Sequence, residues 1–282
     1  MMQCKLVDVF SKHKLQGNGL TIFYDYEALS TKQMQAWTRE MRQFESIFVD
    51  MQSKPYRAHI FTMEEELDFA GHPLLGLAYH LHESIGKKDG QCHWSIALNH
   101  TVVELSSVWE GKYFKASMHQ GVPKLITTLS SAQAEPFYEA LGIGQLQPHD
   151  YPAQVISTGL PYLVVPIEHG LSKVVFKTTE LETMLEKYHA KFLYLIDINN
   201  FEGRTWDNRG SVEDIATGSA AGPVAVYLFE HGLTTSKKVT IKQGRFVDRP
   251  SEIDVELVCN EDHIADVIVS GYVTKVGSFT PE

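Results

Sequence analysis

Glu45 stands in the run Arg42-Gln43-Phe44-Glu45-Ser46-Ile47-Phe48-Val49, a carboxylate with apolar residues on both sides. Apolar surroundings disfavour the charged form of a carboxylate, which is the condition for proton exchange near neutral pH. The competing reading puts Glu45 on the solvent face of a strand or helix end, because charged side chains are almost never fully buried. Two other segments bear on the choice: Ala70-Gly71-His72-Pro73, and Glu213-Asp214-Ile215-Ala216-Thr217-Gly218-Ser219-Ala220. Each is a small-residue turn that opens an apolar run. A helix beginning there presents unpaired N–H groups and a partial positive charge, and glycine lets an anion approach them closely. If the two turns face each other, they converge on one cleft suited to a carboxylate. Asp214 and Ser219 flank Thr217-Gly218, so both side chains can point into the same cavity. Taken singly, each turn reads as ordinary capping, Glu213-Asp214 as a solvated acidic turn or N-cap pair, and His72 as a surface or capping histidine.

Other chemistries find no support in the sequence. The three cysteines, Cys4, Cys92 and Cys259, are scattered, with no CxxC pair. A disulfide framework is not expected, and a reducing, cytoplasmic setting fits best. Thirteen histidines form no HExxH or comparable ligand motif, so no metal is expected; His13 and the pair His80 and His82 read as surface or helix-face residues. Neither GxGxxG nor GxxxxGK[ST] occurs, which argues against a dinucleotide or P-loop site. The net charge of -10 gives no basic stripe for a nucleic acid. The N-terminus lacks the apolar stretch of a signal peptide, and no run reaches the ~18 apolar residues of a membrane span.

The elements that must position these residues follow from periodicity. Among 282 residues, 43% are hydrophobic and 21% charged, the profile of a folded globular protein of two domains or one large one. Strands are expected at Leu6 to Phe10, Leu20 to Tyr24, Ser46 to Asp50 and Tyr56 to Thr62. A helix from a Ser30 or Thr31 cap to about Arg42 carries Met34, Trp37 and Met41 at helical spacing. An apolar helix runs from about Pro73 to His82, its proline suited to the first turn. Short alternating runs fill Cys92 to about Lys115, and Met118 to Lys124 is the best crossing between domains. The second half repeats the plan. Strands at Gln154 to Ser157 and Leu163 to Pro166 precede a helix near Thr179 to Lys187. A strand at Phe192 to Ile198 follows, then a second apolar helix, about Ser219 to Glu230. Strands at Lys238 to Lys242, Ser251 to Cys259 and Asp266 to Val273 complete it. A helix apolar nearly all round is normally buried, so each half wraps its strands around one central helix.

The chain resembles the PhzF family of phenazine-biosynthesis-like isomerases. The resemblance rests on Val7-Asp8-Val9-Phe10 with Gly17-Asn18, Glu45 through Val49, Ile60-Phe61-Thr62, and Phe69 through Pro73 with Leu75-Gly76. It continues through Thr158 to Val165, Glu213 through Ala220, Gln243-Gly244 with Arg249-Pro250-Ser251, and Gly271-Tyr272-Val273. What it implies is an α+β fold like that of diaminopimelate epimerase: two pseudo-symmetric domains, each a barrel-like sheet around a central apolar helix. The halves would be residues 1–118 and 119–282, with the final strands able to return to the first, and the active site in the cleft between them. It also implies a cofactor-independent, usually homodimeric isomerase that moves a proton on a small carboxylic acid. Glu45 resembles the general acid/base of the family, and His72 and Asp214 its polar partners. Gly71, Gly218, Ser219 and Asn18 resemble substrate-binding positions. The sequence departs from the family pattern at Gly19, at Arg42-Gln43-Phe44 and at Ile215, none of which removes a catalytic group.

Two rivals remain at this point. A two-thiol racemase is excluded, because Ala70 and Ser219-Ala220 occupy the positions where paired cysteines would stand, and alanine cannot shuttle a proton. A single-base epimerase or racemase of an amino acid stays open, as does a binding protein that has kept the cleft without the chemistry.

Overall fold

The computed structural model describes residues 2–26, 29–87, 89–260 and 263–281. The chain divides into two compact units. The first comprises residues 1–119, 249–252 and 270–282; the second comprises residues 120–248 and 253–269.

In the first unit the order is β1 (Gln3–Val9), β2 (Asn18–Tyr24), α1 (Thr31–Met41), β3 (Glu45–Asp50), β4 (Tyr56–Thr62), β5 (Glu66–Leu67), α2 (Gly71–Ile85), β6 (Cys92–Ala97), β7 (Val102–Glu110) and β8 (Tyr113–His119). Alternation along β2 and β3 sets two faces apart, as strand pleating requires. Phe23 and Phe48 stack with ring centroids 4.4 Å apart and, with Met34 of α1, form a cluster on one face. The other face of β2 carries Leu20, which lies so near Gly76 of α2 that a Cβ there would sit 2.3 Å from Leu20 Cδ2. Helix α1 starts at a reciprocal capping box: Ser30 N–H donates to Gln33 Oε1 at 2.9 Å while its hydroxyl oxygen accepts from Gln33 N–H.

The second unit contributes β9 (Lys124–Thr128), α3 (Ser131–Ala140), β10 (Gln154–Ser157), β11 (Pro161–Ile167), α4 (Leu181–Glu186), β12 (Phe192–Asp197), β13 (Glu202–Arg204), α5 (Gly218–Glu230) and β14 (Lys238–Gln243). The chain ends in β15 (Ser251–Asn260) and the long β16 (His263–Phe279).

Hydrogen bonding joins β1-β2-β3-β4-β6-β7-β8-β16 in that order, and β1 pairs antiparallel with β16 from Cys4↔Phe279 to Val9↔Val273. The circuit is a closed barrel of eight strands, which leaves no free edge. Helix α2 packs against β1, β2, β3, β7 and β8 and is buried from Gly71 to His82, so it fills the barrel. In the second unit the order is β16-β15-β14-β13-β12-β11-β10-β9, with α5 packed on β10, β11, β12 and β14 and buried nearly throughout. A separate apolar core lies between α3, α4 and the faces of β10, β11 and β12, from Phe137 and Leu185 to Val155, Val165 and Leu195. The fold is therefore mixed α/β, with a closed barrel and few helices.

Three differences from the sequence reading have simple causes. The first apolar helix runs two residues earlier and three later than its periodicity suggests, Gly71–Ile85, because a helix buried on all sides has no polar face to mark its ends. Helix α3 was not expected at all, since Pro136 stands inside it and its apolar stripe is weak. Its start is nonetheless written as Ser130-Ser131-Ala132-Gln133, another reciprocal capping box. His80 and His82, expected at a surface or helix face, are buried inside the barrel, whereas His13 is exposed.

Candidate active site

Glu45 is the first residue of β3, paired with Leu20 on β2 and Thr62 on β4. It lies inside the barrel at 6% exposure, not on a solvent face. His72 is the second residue of α2, in the first turn, and is also buried. Its Nδ1 comes within 2.9 Å of Glu45 Oε2, although the two are not aligned as a hydrogen bond. Among the described residues, Glu45 Oε2 and His72 Nε2 have no hydrogen-bond partner. Buried polar atoms are normally satisfied, so an orphaned carboxylate oxygen beside an orphaned imidazole nitrogen marks a place for a polar ligand. Asn18, wholly buried at the start of β2, belongs to the same unit, as does Gly71, the first residue of α2. Ala70 supplies no side-chain cap to α2, so the positive end of that helix is left to other acceptors.

The loop between β1 and β2 is held from below. Asp8 Oδ2 accepts from Leu15 N–H at 2.6 Å, and Asp8 Oδ1 meets Arg249 at 2.6 Å. Arg249 Nε donates in turn to the Gly17 carbonyl at 2.9 Å, beside Asn18. Gly19 and Gln43, two of the departures from the family pattern, are spatial neighbours. A Cβ on residue 19 would stand 2.2 Å from Gln43 Oε1, so the glycine makes room for the glutamine.

The second unit positions Asp214, Gly218 and Ser219 at the start of α5. Asp214 is buried and accepts a short hydrogen bond from the Thr217 hydroxyl through Oδ2. Thr217 is the N-cap residue, yet it gives α5 no side-chain cap. The Ser219 hydroxyl shares a 2.7 Å hydrogen bond with the Tyr162 hydroxyl, and the Gly218 carbonyl accepts from Gln120 Nε2 at 3.0 Å. Gln243 ties the turn together. Its Oε1 accepts from Tyr194 at 2.9 Å and from Thr217 N–H at 3.1 Å, while its Nε2 donates to the Asp214 carbonyl at 2.9 Å and to Thr217 Oγ1 at 3.0 Å. Burial pushes the Tyr194 phenol well above its usual value, so it stays a donor. Glu213 is not part of a solvated acidic turn: both of its oxygens pair with Arg204, at 2.8 and 2.6 Å, with both side chains largely buried. The supporting roles of Gln243, Tyr162 and Arg249 were not foreseen, although all three stand in the segments that carry the resemblance.

Among the described residues, no group of three or more His, Cys, Asp or Glu side chains could hold a metal ion. No helix in the described residues is long and apolar enough to cross a membrane.

Comparison with known proteins agrees with the geometry. Residues 7–278 match the PhzC-PhzF family, described as phenazine biosynthesis-like protein. The trans-2,3-dihydro-3-hydroxyanthranilate isomerase of Pseudomonas aeruginosa is 33% identical over 282 aligned residues, covering 94% of each chain. A solved structure of a predicted epimerase from the same organism is 44% identical, with a TM-score of 0.92, and the match covers 100% of this chain and 99% of the other. A probable proline racemase from Agrobacterium radiobacter superposes with a TM-score of 0.59 at 10% identity, over 100% of this chain and 93% of that one, a likeness of fold alone.

A barrel-enclosed helix start with a buried carboxylate–imidazole pair, in the company of these relatives, defines an isomerase with a mixed α/β fold related to that of the proline racemases. The chain belongs to the PhzF family of phenazine biosynthesis-like proteins.

Proposed function

We propose that the chain catalyses a cofactor-independent proton shift on a small carboxylic acid, with Glu45 as the general acid/base. The observation that carries this reading is the buried Glu45–His72 pair, with its orphaned oxygen at the start of β3 and its orphaned nitrogen in the first turn of the uncapped helix α2. Glu45 takes a proton from a carbon activated by a neighbouring double bond or carboxylate. The electron pair of that C–H bond moves into the adjacent π system, and the protonated Glu45 returns the proton to a different carbon, so the double bond migrates. His72 holds the ionised form of Glu45 in place and shares its proton. Asn18 and Gly71, in the same unit as Glu45, supply polar contacts to the substrate. Backbone N–H groups at a helix start suit a carboxylate or a developing oxyanion. The same reading takes residues 1–118 and 119–282 as pseudo-equivalent halves, with the final strands returning to the first, and the working protein as a cytoplasmic homodimer.

The Pseudomonas relative is named for trans-2,3-dihydro-3-hydroxyanthranilate, and a hydroxylated dihydro ring acid of that kind heads the list of substrates to try. A single-base epimerase would use the same pair, but the proton would return to the same carbon. Proton NMR in D2O, wild type beside Glu45→Gln, separates the outcomes. Glu45-dependent double-bond migration with deuterium uptake supports the proposal. Deuterium uptake with inversion at one carbon supports the epimerase instead. Turnover by Glu45→Gln within about tenfold of wild type would remove Glu45 from the mechanism, since general acid/base groups contribute roughly 10²–10⁴.

A further inference from the structure

A cavity lies wholly within the first unit and includes neither Glu45 nor His72. It has a volume of about 390 Å³ and opens between the β1–β2 connection, the β7–β8 turn and β16. Tyr79, on its floor, stands two helical turns along α2 from His72, roughly 10 Å along the axis. The walls are aromatic, with Trp109, Tyr113 and Tyr272 among them, and the rim carries Lys12, Lys14 and Lys112, with Lys275 deeper in. In a chain of net charge -10 this is a local reversal of sign.

The positive charge is not neutralised from within. Among the described residues, Lys12, Lys14 and Lys112 form no ion pair with a carboxylate. Lys12 instead lies over the Tyr272 ring at 4.2 Å and the Tyr113 ring at 5.3 Å, and Lys112 lies over Tyr113 at 5.1 Å. Two acids stand close by. Glu110 accepts from the Tyr272 hydroxyl at 2.7 Å. Glu83 accepts from Tyr79 at 3.1 Å and pairs both with buried Lys5 and, at 3.3 Å, with Lys275. Two ammonium groups therefore share one carboxylate beneath the cavity. Although burial works against its charge, those two lysines hold the Glu83 carboxyl below its usual value. Lys5 and Lys275 against Glu83, and Lys12, Lys14 and Lys112 against Glu110, still leave the surroundings of the cavity with more positive charge than negative.

We propose that this cavity is a second ligand site, which takes a small aromatic anion whose ring lies among Trp109, Tyr113 and Tyr272 and whose charged group meets Lys12, Lys112 and Lys275. Lysine ammoniums stacked on tyrosine faces are ready to turn to an incoming anion, and the exposed edge of Trp109 offers apolar area for the ring. The site does not depend on the proton-shift mechanism, so it stands or falls separately.

The test is equilibrium binding of phenyl phosphate, by calorimetry and by tryptophan fluorescence, to wild type, Glu45→Gln, Trp109→Phe and the exposed double variant Lys12→Ala/Lys112→Ala. Removing each lysine is expected to weaken binding about fivefold, as for a unit charge lost near the protein surface. Binding should also weaken as salt is raised. Glu45→Gln should bind as wild type does, and Trp109→Phe should lose the fluorescence change. Inorganic phosphate should bind more weakly than phenyl phosphate, because it lacks the ring. An affinity unchanged in the double lysine variant, a loss of binding in Glu45→Gln, equal affinity for inorganic phosphate, or no saturable binding to wild type would each overturn the proposal.

Discussion

Glu45 and His72 meet at 2.9 Å although one begins a strand and the other sits in the first turn of the barrel's central helix. Among the described residues, neither Glu45 Oε2 nor His72 Nε2 has a hydrogen-bond partner that would explain its burial. If the imidazole steadies charge on Glu45 during proton transfer, His72→Gln keeps a polar group of similar reach and preserves the fold. It should lower kcat by about a hundredfold, the cost of removing one preorganised donor. The comparison to make is kcat against the thermal midpoint. A fall in both together would give His72 a structural role only.

Gln243 spends both atoms of its side-chain amide on the turn before α5, with four hydrogen bonds to Tyr194, Thr217 and the Asp214 carbonyl. The site tolerates no looseness, since Gly203 is packed so tightly on Tyr194 that a Cβ would lie 2.1 Å from its ring. Gln243→Leu should destabilise the protein by about 2–3 kcal/mol, because it strands several buried polar groups at once. Chemical denaturation would measure that loss. Gln243→Glu, which keeps the acceptor oxygen but loses the amide donor, should recover only part of it.

How legible this was from the sequence depends on the kind of signal. Both buried helices, the strands around them and the turns that open the helices were readable, because runs such as Leu74-Leu75-Gly76-Leu77-Ala78 have no polar side to expose. Helix α3 was not, since Pro136 and a weak stripe hide it from periodicity. Its cap, Ser130 with Gln133, was the signal available. His80 and His82 look like surface residues in a one-dimensional reading. Only closure of the barrel buries them, and there Ser107 and the Lys87 carbonyl satisfy His82 at 2.8 and 2.9 Å. The His82–Ser107 pairing joins residues on different elements and leaves no local pattern. The same holds for Gln43, whose relation to Gly19 is invisible until β2 and β3 are placed side by side.

That relation makes its own prediction. Gly19 precedes Leu20, the partner of Glu45 in the parallel β2–β3 register, and a Cβ at position 19 would displace the Gln43 amide. The group to be moved is the free end of a flexible side chain, so Gly19→Ala should cost less than about 1 kcal/mol, as surface-like adjustments do. Because Gln43 leads directly into Glu45, the expected effect is on KM more than on the thermal midpoint. Equal KM values for Gly19→Ala and wild type would remove Gln43 from substrate selection.

His80 is expected to weaken the fold toward acid pH. It is 1% exposed, its Nδ1 lies 2.9 Å from the buried Lys5 ammonium, and its ring is 4.1 Å from that of Tyr24. Nδ1 must therefore accept from Lys5, which leaves the proton on Nε2, a buried nitrogen with no hydrogen-bond partner among the described residues. Burial, reinforced by the Lys5 charge, pushes the His80 pKa from 6.5 down to about 3. Between those two values the unfolded chain binds a proton that the folded chain refuses. Stability accordingly falls as pH drops from about 6.5 toward 3, by up to roughly 1.4 kcal/mol per pH unit from this one group. His80→Gln retains an acceptor for Lys5 but cannot titrate. Measured by urea denaturation at pH 6 and pH 4.5, its loss of stability should be smaller than that of wild type by about 1–2 kcal/mol. Identical losses in the two proteins would mean that the acid sensitivity arises elsewhere.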